Sequence, residues 1–313
     1  MCRSGCRKVL QPFIAVKRAF AMTAICSASR FPAPSQMLAM LAICAATNSL
    51  ELRPSWGADK ITFQPHNAVY ELSLLKSTGK PDLRSARGRV TYNFSGSECD
   101  GYRLTIRHVA ELFSWDGKSA KSVLRATTLE DNASTRFRFK SEKELNDGAA
   151  REVSGSAERA GDQITVRLNN AAKPIVLSDN AIFPTEHSRR ILTLAREGKT
   201  ELEATVYNGS ESGEKTFHTL TTIGPASQIG NALPMQDALS SADKMKGVAR
   251  WHVAIRYFDR KARSDIEKPL PIYTLLFDVD ENGVSRSLVY DYNSYAIAGK
   301  LTKLDIQQTS PCK

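Results

Sequence analysis

Two cysteines stand apart in this 313-residue chain: Cys99, within Phe94-Ser95-Gly96-Ser97-Glu98-Cys99-Asp100-Gly101-Tyr102, and Cys312, the penultimate residue. The other four, Cys2, Cys6, Cys26 and Cys44, fall in the first 58 residues. An even pair in an exported chain favours a disulfide, because the thiols meet an oxidising compartment; in a cytosolic protein the same pair reads as two free buried thiols. A bond between Cys99 and Cys312 would close a span of 312 − 99 = 213 residues. On the chain-entropy model a ring of that size contributes about 5 kcal/mol. Zinc is a poor fit, since two cysteines need histidines to complete four ligands, and His66, His108, His187, His218 and His252 show no close ligand spacing.

Other residue types offer less. Asp278-Val279-Asp280-Glu281-Asn282-Gly283 matches the first half of a calcium loop, but the twelfth position, which needs a bidentate Glu, is Val289. The Asn282-Gly283 pair is explained by a hairpin turn alone. His108 falls on the apolar side of an alternating run and reads as a hydrogen-bonded core histidine. His187 closes Phe183-Pro184-Thr185-Glu186-His187 at the head of a helical segment. Phe183, Pro184, Thr185 and His187 are therefore candidates either for a structural turn or for contact with a ligand or partner. No Gly-x-Ser-x-Gly elbow, phosphate loop or His-Glu-x-x-His helix occurs. The expectation is a protein that is not an enzyme and has no metal site and no cofactor.

The elements that must position these residues have period two. Tyr70, Leu72 and Leu74 share one face, as do Val90, Tyr92 and Phe94. Leu104, Ile106, Ala110 and Leu112 oppose Arg103, Thr105, Arg107 and Glu111, and Phe137 and Phe139 interleave with Arg136 and Arg138. Such runs are half-buried antiparallel strands. Asp116-Gly117, Asp147-Gly148, Gly161-Asp162, Asn208-Gly209 and Asn282-Gly283 punctuate them with residues that tolerate positive φ. About a dozen strands follow, without the helices that parallel units need. The fold class is all-β, a long antiparallel sheet curled into a barrel or spiral that reduces exposed edges. One segment breaks the period: Ile191, Leu194 and Ala195 recur at helical spacing, with Thr185 as N-cap and Gly198 as stop, so one α-helix is expected near residues 185–197. Ser227–Lys246 reads as a long surface loop.

The formal charge of +10 points toward nucleic acid only until it is divided. Residues 1–58 hold seven basic residues and one acid, which leaves 36 basic and 32 acidic residues, a net of +4, in 59–313. The basicity is concentrated in the leader, and no nucleic-acid partner is expected. The leader carries two short apolar runs, Ala19–Ala28 and Met37–Ala46. Both are too short to span a bilayer, and basic residues before a short apolar run are the pattern of a secretory signal. Cleavage is expected between residues 46 and 58, leaving a single β domain, 59–313, that is periplasmic and not an integral membrane protein. An organelle transit peptide is the alternative reading of so acid-poor a leader, and initiation at Met22 or Met37 is a further one.

The ordered set His66-Asn67-Ala68-Val69-Tyr70-Glu71-Leu72, Gly96-Ser97-Glu98-Cys99-Asp100-Gly101-Tyr102, Phe183-Pro184-Thr185-Glu186-His187, Val206-Tyr207-Asn208-Gly209-Ser210, Glu281-Asn282-Gly283-Val284-Ser285-Arg286-Ser287-Leu288 and Leu301-Thr302-Lys303-Leu304 resembles the EipB family of alphaproteobacterial periplasmic cell-envelope integrity proteins. The resemblance covers roughly Ile61 to Cys312. It implies a β-spiral, an open barrel with a helix at its centre. It also implies a disulfide that maps onto Cys99 and Cys312, no enzymatic activity, and a periplasmic tetratricopeptide-repeat protein as partner. Asn67 and Asn208 depart from the pattern, standing where the resemblance leads one to expect Arg and Asp. The function expected is support of the cell envelope through protein contacts. The alternative is carriage of a lipid or lipoprotein acyl chain inside the curled sheet.

Overall fold

The alternation of apolar and charged residues becomes, in the computed structural model, an antiparallel sheet of 15 strands. The structure describes residues 60–80, 82–177, 180–228, 248–259 and 270–308, all within one compact unit, Ser55–Lys313. The leader, most of the expected 227–246 loop and Cys312 lie outside the described residues.

The first eight strands form a simple meander: β1 (His66–Ser77), β2 (Leu83–Ser97), β3 (Gly101–Ser114), β4 (Ser119–Glu130), β5 (Arg136–Leu145), β6 (Arg151–Ala160), β7 (Gln163–Leu168) and β8 (Ile175–Leu177). Helix α1 (Pro184–Arg196) follows. The chain then continues through β9 (Glu201–Val206), β10 (Phe217–Ile223), β11 (Ser227–Gln228), β12 (Ala249–Asp259), β13 (Tyr273–Asp280), β14 (Ser285–Asp291) and β15 (Tyr295–Ile306). The turns carry the residues their geometry demands, with Asn146 and Asp147 at φ 52 and 57 between β5 and β6.

β1 is the seam of the sheet. It pairs with β2 on one side and with β15 on the other, so that His66 stands between Phe94 and Ile306. From that seam one arm runs β2 to β8, and the other runs β15, β14, β13, β12, β10, β9, with β11 pairing off β12. The two far ends meet. Ile182, just ahead of α1, forms a parallel bridge with Val206 of β9, its N–H donating to Thr205 O and its carbonyl accepting from Tyr207 N. The sheet thus curls round until its ends touch through the segment that leads into the helix.

The helix closes one rim. Ile191, Leu192 and Ala195 pack with Phe63, Phe94, Tyr102, Trp251, Val253 and Val279, all from strand ends or flanks on that side. A second cluster straddles the seam through Tyr70, Leu72, Val90, Ile297 and Leu301. A third fills the end of the first arm with Phe137, Phe139, Ile164, Val166, Phe183 and Tyr207.

The start of α1 differs from the sequence expectation. Pro184 is already helical, Phe183 is the N-cap and makes no side-chain capping bond. Thr185, one residue inside the helix, is past the point where its hydroxyl can cap. At the other end Gly198 takes φ +71 as expected, and the N–H groups of Gly198 and Lys199 return to Ala195 O and Leu194 O. His108 also differs: it lies on the inner face of β3, but its Nε2 is buried without a hydrogen-bond partner. Its ring lies 5.7 Å from that of Tyr290. Of the two departures from the family pattern, Asn67 accepts a hydrogen bond from the Asn93 side chain, and Asn208 accepts one from the Ser210 N–H.

Candidate functional site

Between α1 and the inner face of the sheet lies a cavity of about 290 Å³. Its walls are pairs of residues two apart, Leu104 and Ile106, Ile255 and Tyr257, Leu275 and Phe277, Leu288 and Tyr290, because every second side chain of a strand points inward. Both arms contribute. Pro184, Thr185, His187, Ser188 and Ile191 of the helix close the remaining side. Among the described residues that line it, none is Asp, Glu, Lys or Arg. Burial raises the hydroxyls of Tyr92 and Tyr290 above their ordinary range and that of Tyr257 to about 12, so these tyrosines stay protonated and neutral.

The four residues singled out by the Phe-Pro-Thr-Glu-His stretch separate here. Pro184, Thr185 and His187 line the cavity. Phe183 does not. It is fully buried in the third cluster, stacked 5.1 Å from Phe137, with the Arg159 guanidinium over its ring at 5.1 Å from the centroid. Phe183 therefore anchors the helix while its neighbours face the interior. His187 is 4% exposed, and its Nε2 has no hydrogen-bond partner. Burial, reinforced by the Arg190 charge, pushes its imidazole down to about 4. The ring is neutral at physiological pH.

What holds the helix in place is a carboxylate from a distant strand. Glu130, the last residue of β4, is 1% exposed. It accepts from Thr185 N at 2.7 Å and Glu186 N at 2.9 Å, and from the Ser134 hydroxyl at 2.9 Å. An acid at a helix N-terminus meets both the open N–H groups and the positive end of the dipole. Burial nonetheless dominates and raises the Glu130 carboxyl above its usual range, against the pull of these donors. Outside the cavity, Glu186 is gripped by Arg159 at 2.8 Å and Arg190 at 2.6 Å. Arg189 donates to Asn132 and lies over the Phe63 ring.

The half calcium loop proves to be the β13–β14 hairpin. Asp280, wholly buried, accepts from Arg250 Nε and Arg286 Nε, both at 2.8 Å. Two guanidiniums occupy the carboxylate that a cation would need. Among the described residues no cluster of three or more metal-ligating side chains occurs.

Cys99 sits in the β2–β3 turn at the rim closed by the helix. Ser97 Oγ accepts from the N–H groups of Cys99 and Asp100, both at 3.2 Å. Gly96 and Gly101 flank the turn at φ 109 and 78, and a Cβ at Gly96 would collide with the Gly101 carbonyl oxygen. Cys99 is disulfide-bonded, and its partner sulfur lies outside the described residues.

The opposite rim has a different character. Leu75 at the end of β1, Trp115 after β3, and Leu270 and Ile272 before β13 are large apolar side chains left in solvent, Trp115 at 67% and Leu270 at 79%. Hydrogen bonds join their loops into one arc: Trp115 N to Asp82 O, Leu83 N to Ser77 Oγ, Thr78 N to Ser294 O, and Asn293 Nδ2 to Pro271 O. Tyr273, Tyr292 and Tyr295 follow one another along it, Tyr273 tilted against Tyr292 at 6.0 Å and Tyr292 stacked on Tyr295 at 5.0 Å. Exposed apolar residues gathered at one place mark contact surfaces. No motif in the sequence signalled this arc, the Glu130 cap or the paired arginines, because each is assembled from segments far apart in the chain.

Among the described residues, a single antiparallel sheet curls round one helix, the architecture of a β-barrel-like protein. The chain belongs to the EipB-like family, whose model matches residues 57–308. It is similar to the "Cell envelope integrity protein EipB" of Brucella abortus (strain 2308), at 28% identity over 256 residues, 82% of this chain and 89% of that protein. It is also similar to the crystal structure of a β-barrel-like protein of domain of unknown function DUF1849 from Brucella abortus, with a TM-score of 0.70 and 26% identity over 79% of this chain and 100% of that one. The all-β sheet with one helix read from the sequence is thus the fold observed. Among the described residues no helix is long and apolar enough to cross a membrane.

Proposed function

We propose that this chain is an exported, non-enzymatic periplasmic protein that supports the cell envelope through protein contacts; the envelope role is suggested by its similarity to a Brucella protein named for cell envelope integrity. The observation that carries this reading is the exposed arc of Trp115, Leu75, Leu270 and Ile272. Large apolar side chains held on a hydrogen-bonded rim suit a partner surface. The partner proposed is a periplasmic tetratricopeptide-repeat protein, whose stacked helices offer an extended concave face. The Cys99–Cys312 clasp belongs to the same proposal. β15 ends level with His66, which is itself level with Phe94, so the end of the described chain lies two strands from the β2–β3 turn. Two strand spacings are about 10 Å, and the four residues after Gln308 reach that far. A photo-crosslinking residue at position 115 tests the contact in cells. Adducts with the repeat protein are expected, and their absence, with the fold intact, counts against it.

A second reading is favoured by the cavity of about 290 Å³ under the helix. Its apolar walls suit an acyl chain, and ligand sites are usually preformed clefts of this kind. Native mass spectrometry of the protein from the envelope fraction is expected to find a co-purified chain. Repeated failure to find one would remove this reading without touching the first.

A further inference from the structure

On the outer face of the first arm, charges that meet across neighbouring strands are answered. Arg87 lies opposite Glu111 and Arg89 opposite Glu71, and each pair closes at 2.7 Å. Even the like-charged couple Glu142 and Glu152, directly opposed on β5 and β6, is bridged by Lys140 at 3.1 Å from both carboxylates. Arg107 and Arg125 break this pattern. They stand directly opposite one another on β3 and β4, both exposed, and like charges so placed repel. Among the described residues Arg107 forms no ion pair, and Arg125 reaches only Glu144, at 3.9 Å.

Two more guanidiniums adjoin them. Arg103 is four residues along β3 from Arg107, about 13 Å, and Arg138 of β5 faces it across Leu129. Both are exposed, and among the described residues neither forms an ion pair. Between the two groups lie Thr105 and Thr127, also opposed, with their hydroxyls 3.4 Å apart. We propose that this face, Arg103, Arg107, Arg125 and Arg138 around the two threonines, docks on the phosphate headgroups of a membrane surface. The guanidinium fork matches phosphate oxygens, and a bridging phosphate supplies the counter-charge that the Arg107–Arg125 couple lacks. One small anion cannot meet groups spread over about 13 Å, whereas a layer of headgroups meets them together. A protein partner fits less well: protein interfaces rely on large anchoring side chains, and none of the large apolar side chains left exposed lies among these arginines. Attraction by charge, about fivefold per basic residue, is how basic surfaces hold anionic lipid.

The test sediments the exported, oxidised chain with vesicles of pure phosphatidylcholine and with vesicles in which one lipid in three is phosphatidylglycerol. Binding at least tenfold stronger to the anionic vesicles is expected, and it should be lost at about 1 M salt, where screening is nearly complete. The double variant Arg107→Gln with Arg125→Gln is expected to bind them about 25-fold less, at about fivefold per arginine, without losing stability in urea. Arg87→Gln with Arg89→Gln removes the same charge from answered positions and should lower binding by no more than about threefold. Equal binding to the two vesicles, equal losses in the two variants, or a first variant that binds like the parent would overturn the proposal. So would abolition of vesicle binding by millimolar inorganic phosphate at fixed ionic strength, which would make the occupant a free anion. Capture on polyglutamate but not on vesicles would assign the face to an acidic protein instead. Vesicle binding through the exposed Trp115 arc would be indifferent to phosphatidylglycerol and to both arginine variants.

Discussion

Protonating His187 should destabilise this protein, and the size of the effect can be worked out. Buried beneath the cavity, its imidazole is pushed down to about 4 from its ordinary 6.5. In the unfolded chain the ring returns to about 6.5 and binds a proton that the native state refuses. The contribution of His187 to stability is therefore fully present above about pH 6.5. It falls as the pH drops through 4, and levels off by about pH 3. Integrating the two titrations gives a loss of about 2 kcal/mol at pH 5 and about 3 kcal/mol at pH 4, relative to pH 7.5. His66 and His108 are also lowered by burial, so the raw acid sensitivity of the protein is a sum. The difference between the parent and His187→Leu isolates one member. Urea unfolding of both at pH 7.5, 5 and 4 is expected to show the gap between them moving by those amounts, in favour of the variant as the pH falls. A gap that stays constant with pH, or an NMR titration placing the His187 midpoint near 6.5, would refute the burial argument.

Further outcomes follow from the polar contacts. Glu130→Ala leaves the buried N–H groups of Thr185 and Glu186 and the Ser134 hydroxyl without their acceptor. Relief of a buried carboxylate offsets part of this, so a loss of about 2–4 kcal/mol is expected in chemical denaturation; a change under 0.5 kcal/mol, taken as about the noise of surface substitutions, would mean the helix is capped otherwise. Asp280→Ala strands two guanidiniums that converge on one carboxylate, and should cost about 3–5 kcal/mol, read from the same experiment. Cys99→Ser should lower stability by up to about 5 kcal/mol if the ring closes on Cys312. Reductant should then bring the parent down to the variant, and a parent indifferent to reductant would break the pairing.

The strands were legible because half-burial writes itself into the chain: the alternation of Leu104, Ile106 and Ala110 with charged neighbours has one physical meaning. The turns were legible for the same local reason. What the sequence hid was everything made by apposition. Thr185 has the chemistry of an N-cap, but the true cap, Glu130, stands 55 residues away and becomes visible only when β4 ends beside the helix. Asp280 sits in a calcium-like string, and nothing local shows that Arg250 reaches it across β12 and β13. The Phe183–His187 stretch marked the right place in the chain but not the division of labour within it, because adjacent helix residues face different surroundings. Trp115 and Leu75 read as strand-end residues, and their exposure depends on where neighbouring loops stop.

The seam between β1 and β15 sets the order in which this protein can assemble. Most other strand pairs join neighbours in the chain, where hairpins close in microseconds, and the β10–β12 pair, Phe217 with Asp259, spans far less chain than the seam. The seam joins His66 to Ile306, a separation of 306 − 66 = 240 residues, and its closure carries the entropy of bringing distant segments together. A chain emerging from its N-terminus during synthesis delivers β1 early and β15 last. Until then β1 has one edge paired with β2 and the other open, a row of free N–H and C=O groups that invites a strand from another chain. The last strand to arrive is thus the one that ends the vulnerability of the first, and a chain cut before Tyr295 would keep that edge open for its whole lifetime.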